Sequence, residues 1–122
     1  ANKNMQEITV RESDVIKTVL WVITKNRLGA VTVVDEQKHL IGLVSDGDIR
    51  RAVEKDENII KMKAGDVMTR NPIRAGNEML AVDAFKLMQA KKISVLPITD
   101  CESKLVGVVS FHDIVESGIG GR

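Results

Sequence analysis

The sequence predicts an α/β fold of the α+β kind: two pseudo-twofold-related repeats, each a helix-strand-strand-helix core with an extended lead-in strand. Three observations predict it. The 122-residue chain matches itself without gaps at a shift of 65 residues, the step from Gly42 to Gly107. Asp35, Leu40, Gly42, Val44, Ser45, Asp48 and Ile49 fall on Asp100, Leu105, Gly107, Val109, Ser110, Asp113 and Ile114, seven identities within fifteen positions. In each copy a stretch of helical apolar spacing is followed by two short β-branched runs separated by a polar turn. The composition, 43% apolar and 29% charged with 9 Gly and 2 Pro, is that of one ordinary globular domain. A period of this length is too long for the usual solenoid repeats, so two copies, 1–64 and 65–122, are expected to form subdomains sharing one core.

Each element follows in order. Residues 8–10 read as the first extended lead-in. Val15, Ile16, Val19, Leu20 and Ile23 then recur at helical spacing after Ser13, the expected N-cap, and the pattern stops before Gly29. Ala30 to Val34 is a strand closed by Asp35 in a polar turn, and residues 40–44 form a second strand that ends in Ser45 and enters a short helix. The second copy repeats this plan. Residues 72–74 lead in; Leu80, Ala84, Phe85 and Met88 give the helix after Asn77, with Met79 and Met88 as core filler. Runs 95–98 and 105–109 give the strands, with Asp100 in the turn and Ser110 at the helix entry. The pairs Val15/Leu80, Val19/Ala84, Leu20/Phe85, Ile23/Met88, Leu28/Ile93, Val33/Ile98 and Ile41/Val106 match apolar with apolar. Such short hairpins exclude a long parallel sheet.

Charge and composition narrow the function. Lys and Arg number 18 against 17 Asp and Glu, a net charge of +1, and the aromatics are Trp21, Phe85 and Phe111, which gives no basis for nucleic-acid binding. Cys101 alone forms neither an internal disulfide nor a cysteine zinc site, and no targeting segment or long apolar run predicts a membrane association. A cytoplasmic setting is expected. The chain opens at Ala1 without an initiator Met, as expected of a piece processed or excised from something longer.

The most repeated local feature is Ser-x-x-Asp at a strand-to-helix corner, Ser45 to Asp48 and Ser110 to Asp113. It reads in two ways. One is a capping-box relative, in which Ser accepts a first-turn N–H and Asp bonds back. The other uses the same atoms on a ligand: helix N-terminal N–H groups and the Ser hydroxyl for phosphate, the Asp carboxylate for ribose hydroxyls. Gly42 and Gly107 upstream are expected to permit close backbone approach. Asp46-Gly47-Asp48 lacks the other acidic positions of a calcium loop and reads as a helix-entry turn. His112 beside Asp113 diverges from it on a starting helix and reads as a surface or ligand-rim residue, while His39 reads as a solvated turn residue. Arg50 and Arg51 fit either a solvated helix face or anion recognition. Cys101, between Asp100 and Glu102, is not expected to be reactive. No nucleophile, metal cluster or acid/base constellation marks an enzyme.

The tandem pattern h-x-G-h-h-[ST]-x-x-D-[IL], the strand ends Val33-Val34-Asp35 and Leu96-Pro97-Ile98-Thr99-Asp100, and the join from Asp66 to Ile73 resemble a cystathionine-β-synthase (CBS) domain pair, or Bateman module, from about residue 7 to 119. Within that superfamily, 45–52 and the ending 111–119 are most similar to the C-terminal regulatory half of bacterial arabinose-5-phosphate isomerases. The resemblance implies a cleft between the repeats with up to two nucleotide sites. Asp48 and Asp113 match the ribose-binding Asp, Ser45 and Ser110 the phosphate-side hydroxyl, and Thr69, Pro72, Ile73, Pro97 and Ile98 the base-holding segments. The first repeat departs from the pattern: Thr32 stands where the second has Pro97, and its lead-in lacks the T-x-x-P of Thr69 to Pro72, which is expected to weaken the first base pocket.

The resemblance further implies a regulatory, non-catalytic module that requires no cofactor and modulates a sugar-isomerase (SIS) domain, for which this chain has no room. The implied ligand is AMP, ADP or ATP, or, from the pathway that arabinose 5-phosphate feeds, CMP-Kdo, the activated form of 3-deoxy-D-manno-octulosonic acid. The alternative is an oligomerisation module with no bound ligand. Trp21 aligns with Lys86 on an outer helix face, so a homodimer is expected. Residues 46–51 sum to zero charge through Arg50 and Arg51, whereas 111–116 sum to −2, so the Asp48 corner is expected to take the more anionic ligand.

Overall fold

The computed structural model describes residues 5–56, 58–116 and 118. Ser117 and Ile119, in the motif that ends the second repeat, lie outside the described residues. The chain opens with a single helical turn, α1 (Met5–Ile8), and strand β1 (Thr9–Arg11), followed by helix α2 (Ile16–Asn26) and the hairpin β2 (Ala30–Val34) and β3 (Leu40–Ser45). Helix α3 (Asp46–Lys55), a 3-10 turn (Ile59–Lys61), α4 (Ala64–Val67) and β4 (Thr69–Arg70) lead to the second repeat. That repeat comprises β5 (Ala75–Gly76), α5 (Ala81–Lys91), the hairpin β6 (Val95–Thr99) and β7 (Leu105–Ser110), and α6 (Phe111–Glu116). One sheet has the order β1-β2-β3-β4 and the other β5-β6-β7. In each, the lead-in strand runs parallel to the first hairpin strand, with Val10 opposite Val33 and Ala75 opposite Ile98. The hairpin registers repeat in kind, Ala30 with Ser45 and Val95 with Ser110.

Both long helices start later than the sequence predicts. Ser13 and Asn77 are not N-caps; Val15 and Leu80 hold those positions, in extended backbone, with no side-chain cap. The start of α2 is set by tertiary contact, since the Ile16 N–H donates to the Met62 carbonyl at 3.0 Å. Val15 and Leu80 are exposed as a result, as are Leu20 and Met79, so these four do not fill the core. Each helix ends on a left-handed basic residue, Arg27 at φ 60° and Lys92 at φ 57°, one repeat apart. The lead-ins also shift: Ile8 ends α1 instead of starting the strand, and residues 72–74 precede β5.

Each repeat keeps its own core. In the first, Ile16, Val19 and Ile23 of α2 pack on Val31, Val33 and Val44. In the second, Ala84, Phe85 and Met88 pack with Leu96 and Ile114, and the Phe85 and Phe111 rings stack at 5.1 Å. A third cluster, Ile8, Val34, Leu40 and Leu105, joins the repeats and replaces the single shared core expected from the sequence. Two backbone hydrogen bonds across the pseudo-twofold complete the join: the Leu40 N–H donates to the Ser103 carbonyl at 3.1 Å and the Leu105 N–H to the Lys38 carbonyl at 2.9 Å. The turns that present these groups are held by Asp35 and Asp100. Asp35 accepts from Gln37 N and His39 N, and its carboxylate lies 3.1 Å from His39 Nδ1, so His39 is a turn-holding residue and not merely a solvated one. Asp100 accepts from Glu102 N and Lys104 N.

Candidate functional site

Strand β3 delivers Ser45 to the start of α3, where both halves of a capping box form. The Asp48 N–H donates to Ser45 Oγ at 3.2 Å and the Ser45 N–H to Asp48 Oδ2 at 3.0 Å. The Ser45 hydroxyl lies 3.1 Å from the same carboxylate oxygen. Thr69 Oγ1 reaches Asp48 from the join between repeats, 3.3 Å from Oδ1, and Arg51 Nη2 donates to Oδ1 at 2.7 Å. The close approach of β4 that brings Thr69 here depends on Gly42. A Cβ at Gly42 would meet the Met68 thioether and come within 3.2 Å of the Thr69 carbonyl oxygen, whereas a Cβ at Gly107 would meet nothing within 4 Å. Only one of the two glycines therefore serves the expected purpose.

In front of this corner lies a cleft of about 500 Å³. Ser45, Asp46, Gly47 and Asp48 form its polar end, Thr69, Asn71, Pro72 and Ile73 one wall, and Lys92, Ile93, Ser94 and Val95 of the second repeat the other. Carboxylate, hydroxyls, first-turn N–H groups and a Lys cation thus face apolar walls, a donor and acceptor set suited to a phosphorylated ribose bearing a flat base. Pro97 is buried within β6 and Ile98 packs against the second core, and neither lines this cleft. Arg50 and Arg51 lie on the exposed face of α3, outside the cleft lining. Arg50 has no polar partner among the described residues, and the Arg51 charge is engaged by Asp48. Lys92, at the exposed end of α5, is the basic residue among those lining the cleft.

The second corner is built differently. Ser110 Oγ accepts from the Asp113 N–H at 3.0 Å, and hydrogen bonding to Ser110 holds the Asp113 carboxyl below the ordinary value despite partial desolvation. His112 Nε2 lies 3.0 Å from Glu116 Oε2. Ser110, His112 and Asp113 share a cavity of about 290 Å³ with Ser94 and residues 26–28. One repeat before Thr69 to Ile73 stand residues 4–8, and of these the described ones are wound into α1. Thr32 Oγ1 donates to the Ile8 carbonyl at 2.6 Å and Asn26 Nδ2 to the Glu7 carbonyl at 2.9 Å, which turns this lead-in into the joining core. Thr69 thus reaches across to the first corner, whereas the described part of the first lead-in is held by side chains of its own repeat. In place of a T-x-x-P segment the first repeat has the turn α1, held by Thr32 and Asn26.

Sequence reasoning missed Leu43, Asn71 and the segment 92–95, all of which line the cleft. Leu43 and Asn71 fall within the quoted motifs at positions assigned no role, and no motif marks 92–95. The signal that finds 92–95 is its place one repeat after Arg27 to Ala30, beyond a helix end that carries Lys instead of the usual Gly.

Fold and cleft together define a paired-repeat module with an open cleft at a strand-to-helix corner. The chain belongs to the CBS domain family, whose model matches residues 4–55 and 64–120. It is 35% identical over 111 residues to the arabinose 5-phosphate isomerase KdsD of Yersinia pestis, covering 91% of this chain and 34% of that protein. The chain therefore spans about a third of the length of that curated relative. Among solved structures, the CBS domain pair of MJ0100 in complex with 5′-methylthioadenosine and S-adenosyl-L-methionine superposes with a TM-score of 0.82 at 26% identity, covering 94% of this chain and 90% of that one. The CBS domain protein PAE2072 of Pyrobaculum aerophilum, complexed with AMP, gives 0.76 at 25% identity over 87% and 81% of the two chains. No described helix is long and apolar enough to cross a membrane.

Proposed function

We propose that this chain, acting through repeats 1–64 and 65–122, is the regulatory part of a sugar-phosphate isomerase and takes a nucleotide or nucleotide sugar in the Asp48 cleft. The observation that carries the reading is the corner itself: Ser45, Asp48 and Thr69 meet where two repeats, a helix N-terminus and Lys92 open on a cleft of about 500 Å³. Asp48 accepts the ribose hydroxyls, Ser45 and the first turn of α3 hold phosphate with Lys92, and Pro72, Ile73, Ile93 and Val95 sandwich the base. AMP in one related pair and the adenosine derivatives 5′-methylthioadenosine and S-adenosyl-L-methionine in another support this choice, and similarity to arabinose-5-phosphate isomerases supports CMP-Kdo as the end-product alternative. The module binds and does not catalyse; its partners are the ligand, an isomerase domain in the cytoplasm, and a second copy of itself.

The test is thermal denaturation of the chain with AMP, ADP, ATP and CMP-Kdo in turn. A ligand that binds the native state alone raises stability by about 2.7 kcal/mol at a hundredfold excess over Kd. A rise in Tm that is lost in Asp48→Ala supports the reading. No rise with any of the four favours the oligomerisation module.

A further inference from the structure

We propose that Arg51 is a displaceable guard on Asp48 that makes the cleft select ligands carrying a vicinal diol beside an anionic group. The inference rests on the nucleotide reading above and concerns how that site chooses among ligands. Asp48 Oδ2 is fixed by the Ser45 N–H and hydroxyl, whereas Oδ1 holds the Arg51 guanidinium at 2.7 Å beside the Thr69 hydroxyl at 3.3 Å, and the guanidinium is the contact that a ligand hydroxyl would displace. The two side chains differ in freedom. That of Asp48 is 10% exposed and that of Arg51 62% exposed, so the carboxylate is set in the fold while the guanidinium lies in solvent and can leave. Gly47 makes room for this arrangement: a Cβ there would lie 3.2 Å from Arg51 Nη1 and 3.5 Å from Nη2, so the guanidinium rests against the first turn of α3. At the matching positions of the second repeat stand His112 and Glu116, paired with each other at 3.0 Å, and no Arg.

A ligand diol that takes Oδ1 breaks a charge-assisted hydrogen bond, which is among the stronger contacts available. A neutral nucleoside leaves the guanidinium without a partner. A nucleotide offers it the phosphate next to the ribose, still within reach of a side chain anchored one turn along the same helix. Selection for diol plus anion follows from this exchange of partners.

Titration calorimetry of the 122-residue chain with adenosine, 2′-deoxyadenosine, AMP and CMP tests it, with Arg51→Ala and Arg51→Gln as variants whose folding is checked by melting. The expected result is that both variants bind adenosine severalfold tighter than the unsubstituted chain and bind AMP more weakly. The AMP-over-adenosine preference then falls by about tenfold or more, and 2′-deoxyadenosine gains nothing. Unchanged or weaker adenosine binding in both variants overturns the guard while leaving the nucleotide site standing, since Arg51 would then only attract anions. If the unsubstituted chain binds none of the four probes, the guard fails, and the nucleotide reading keeps only ADP, ATP and CMP-Kdo, which the melting test above decides.

Discussion

Thr69 Oγ1 lies 3.3 Å from Asp48 Oδ1, so a residue that leads into the second repeat completes the corner of the first. The contact spans the join between repeats, and one repeat earlier the described residues of the corresponding stretch are wound into α1. A duplication that is close to symmetric in its hairpins is therefore asymmetric where a ligand would sit. The Asp48 cleft, about 500 Å³ against about 290 Å³ at Asp113, is walled by Thr69, Asn71, Pro72 and Ile73, and no described α1 residue lines the Asp113 cavity.

Gly42→Ala is expected to destabilise the chain by about 1–3 kcal/mol, the usual cost of forcing a methyl into packed surroundings, because Met68 and the Thr69 carbonyl stand against it. Gly107→Ala, with open space at its Cβ, should stay within about 0.5 kcal/mol. Urea denaturation of the two variants measures the contrast, and equal losses would disprove the close approach of β4.

Asn26→Leu should be among the more damaging substitutions. Asn26 Nδ2 donates to the carbonyls of Glu7 and Ala30, and Oδ1 accepts the Leu28 N–H, all from a side chain that is nearly wholly buried. Leaving these groups without that partner is expected to cost on the order of 3 kcal/mol and to loosen α1. Denaturant midpoints give the cost, and hydrogen exchange at Glu7 and Ile8 reports the loosening.

Acid sensitivity follows from the turn carboxylates. Backbone N–H groups of Lys104 and Glu102 hold the Asp100 carboxyl below its ordinary value of 3.8; Asp35 lies lower as well, where hydrogen bonds from His39 and Gln37 outweigh the rise that desolvation causes. Because the folded values are depressed, the stabilisation is present above the unfolded value and is lost as the pH falls through the folded one. Tm should therefore drop as the pH falls below 3.8, and Asp100→Asn should lower Tm near neutrality while flattening that drop. A Tm profile in acid that is unchanged by the substitution would contradict this.

Association is expected to run through α2. Trp21 is 63% exposed, with the Lys25 ammonium 5.4 Å from the ring centroid, so it is not part of either core. An exposed large aromatic beside exposed Leu20 is an apolar surface of the kind a second copy covers. Light scattering should give a dimer for the unsubstituted chain and a monomer for Trp21→Glu; a monomer at high micromolar concentration before substitution would count against the interface.

The hairpins were the most legible part of the chain, because Ala30 to Val34 and its repeat at residues 95–98 carry β-branched runs and an Asp that closes each turn. Ser45 and Asp48 were legible for the same reason: their spacing serves a capping box whether or not a ligand binds. What sequence could not show was set by contacts between distant segments. The start of α2 depends on the Met62 carbonyl, not on Ser13, and the burial of Ile8 depends on hydrogen bonds from Asn26 and Thr32. The same holds at the site. Lys92 lines the cleft beyond a left-handed helix end that has no periodic or compositional mark, while the i,i+3 spacing of Asp48 and Arg51 allows a helix ion pair without showing which carboxylate oxygen it takes.

The central claim is that the Asp48 corner, and not its repeat mate, is the main ligand site. Calorimetric titration of AMP and CMP-Kdo into the unsubstituted chain, Asp48→Ala and Asp113→Ala tests it most directly. The account predicts that Asp48→Ala weakens binding by tenfold or more, since a charge-assisted hydrogen bond contributes about 1.5–3 kcal/mol, while Asp113→Ala leaves most of the affinity in place. Equal losses in the two variants, or a larger loss in Asp113→Ala, would contradict it.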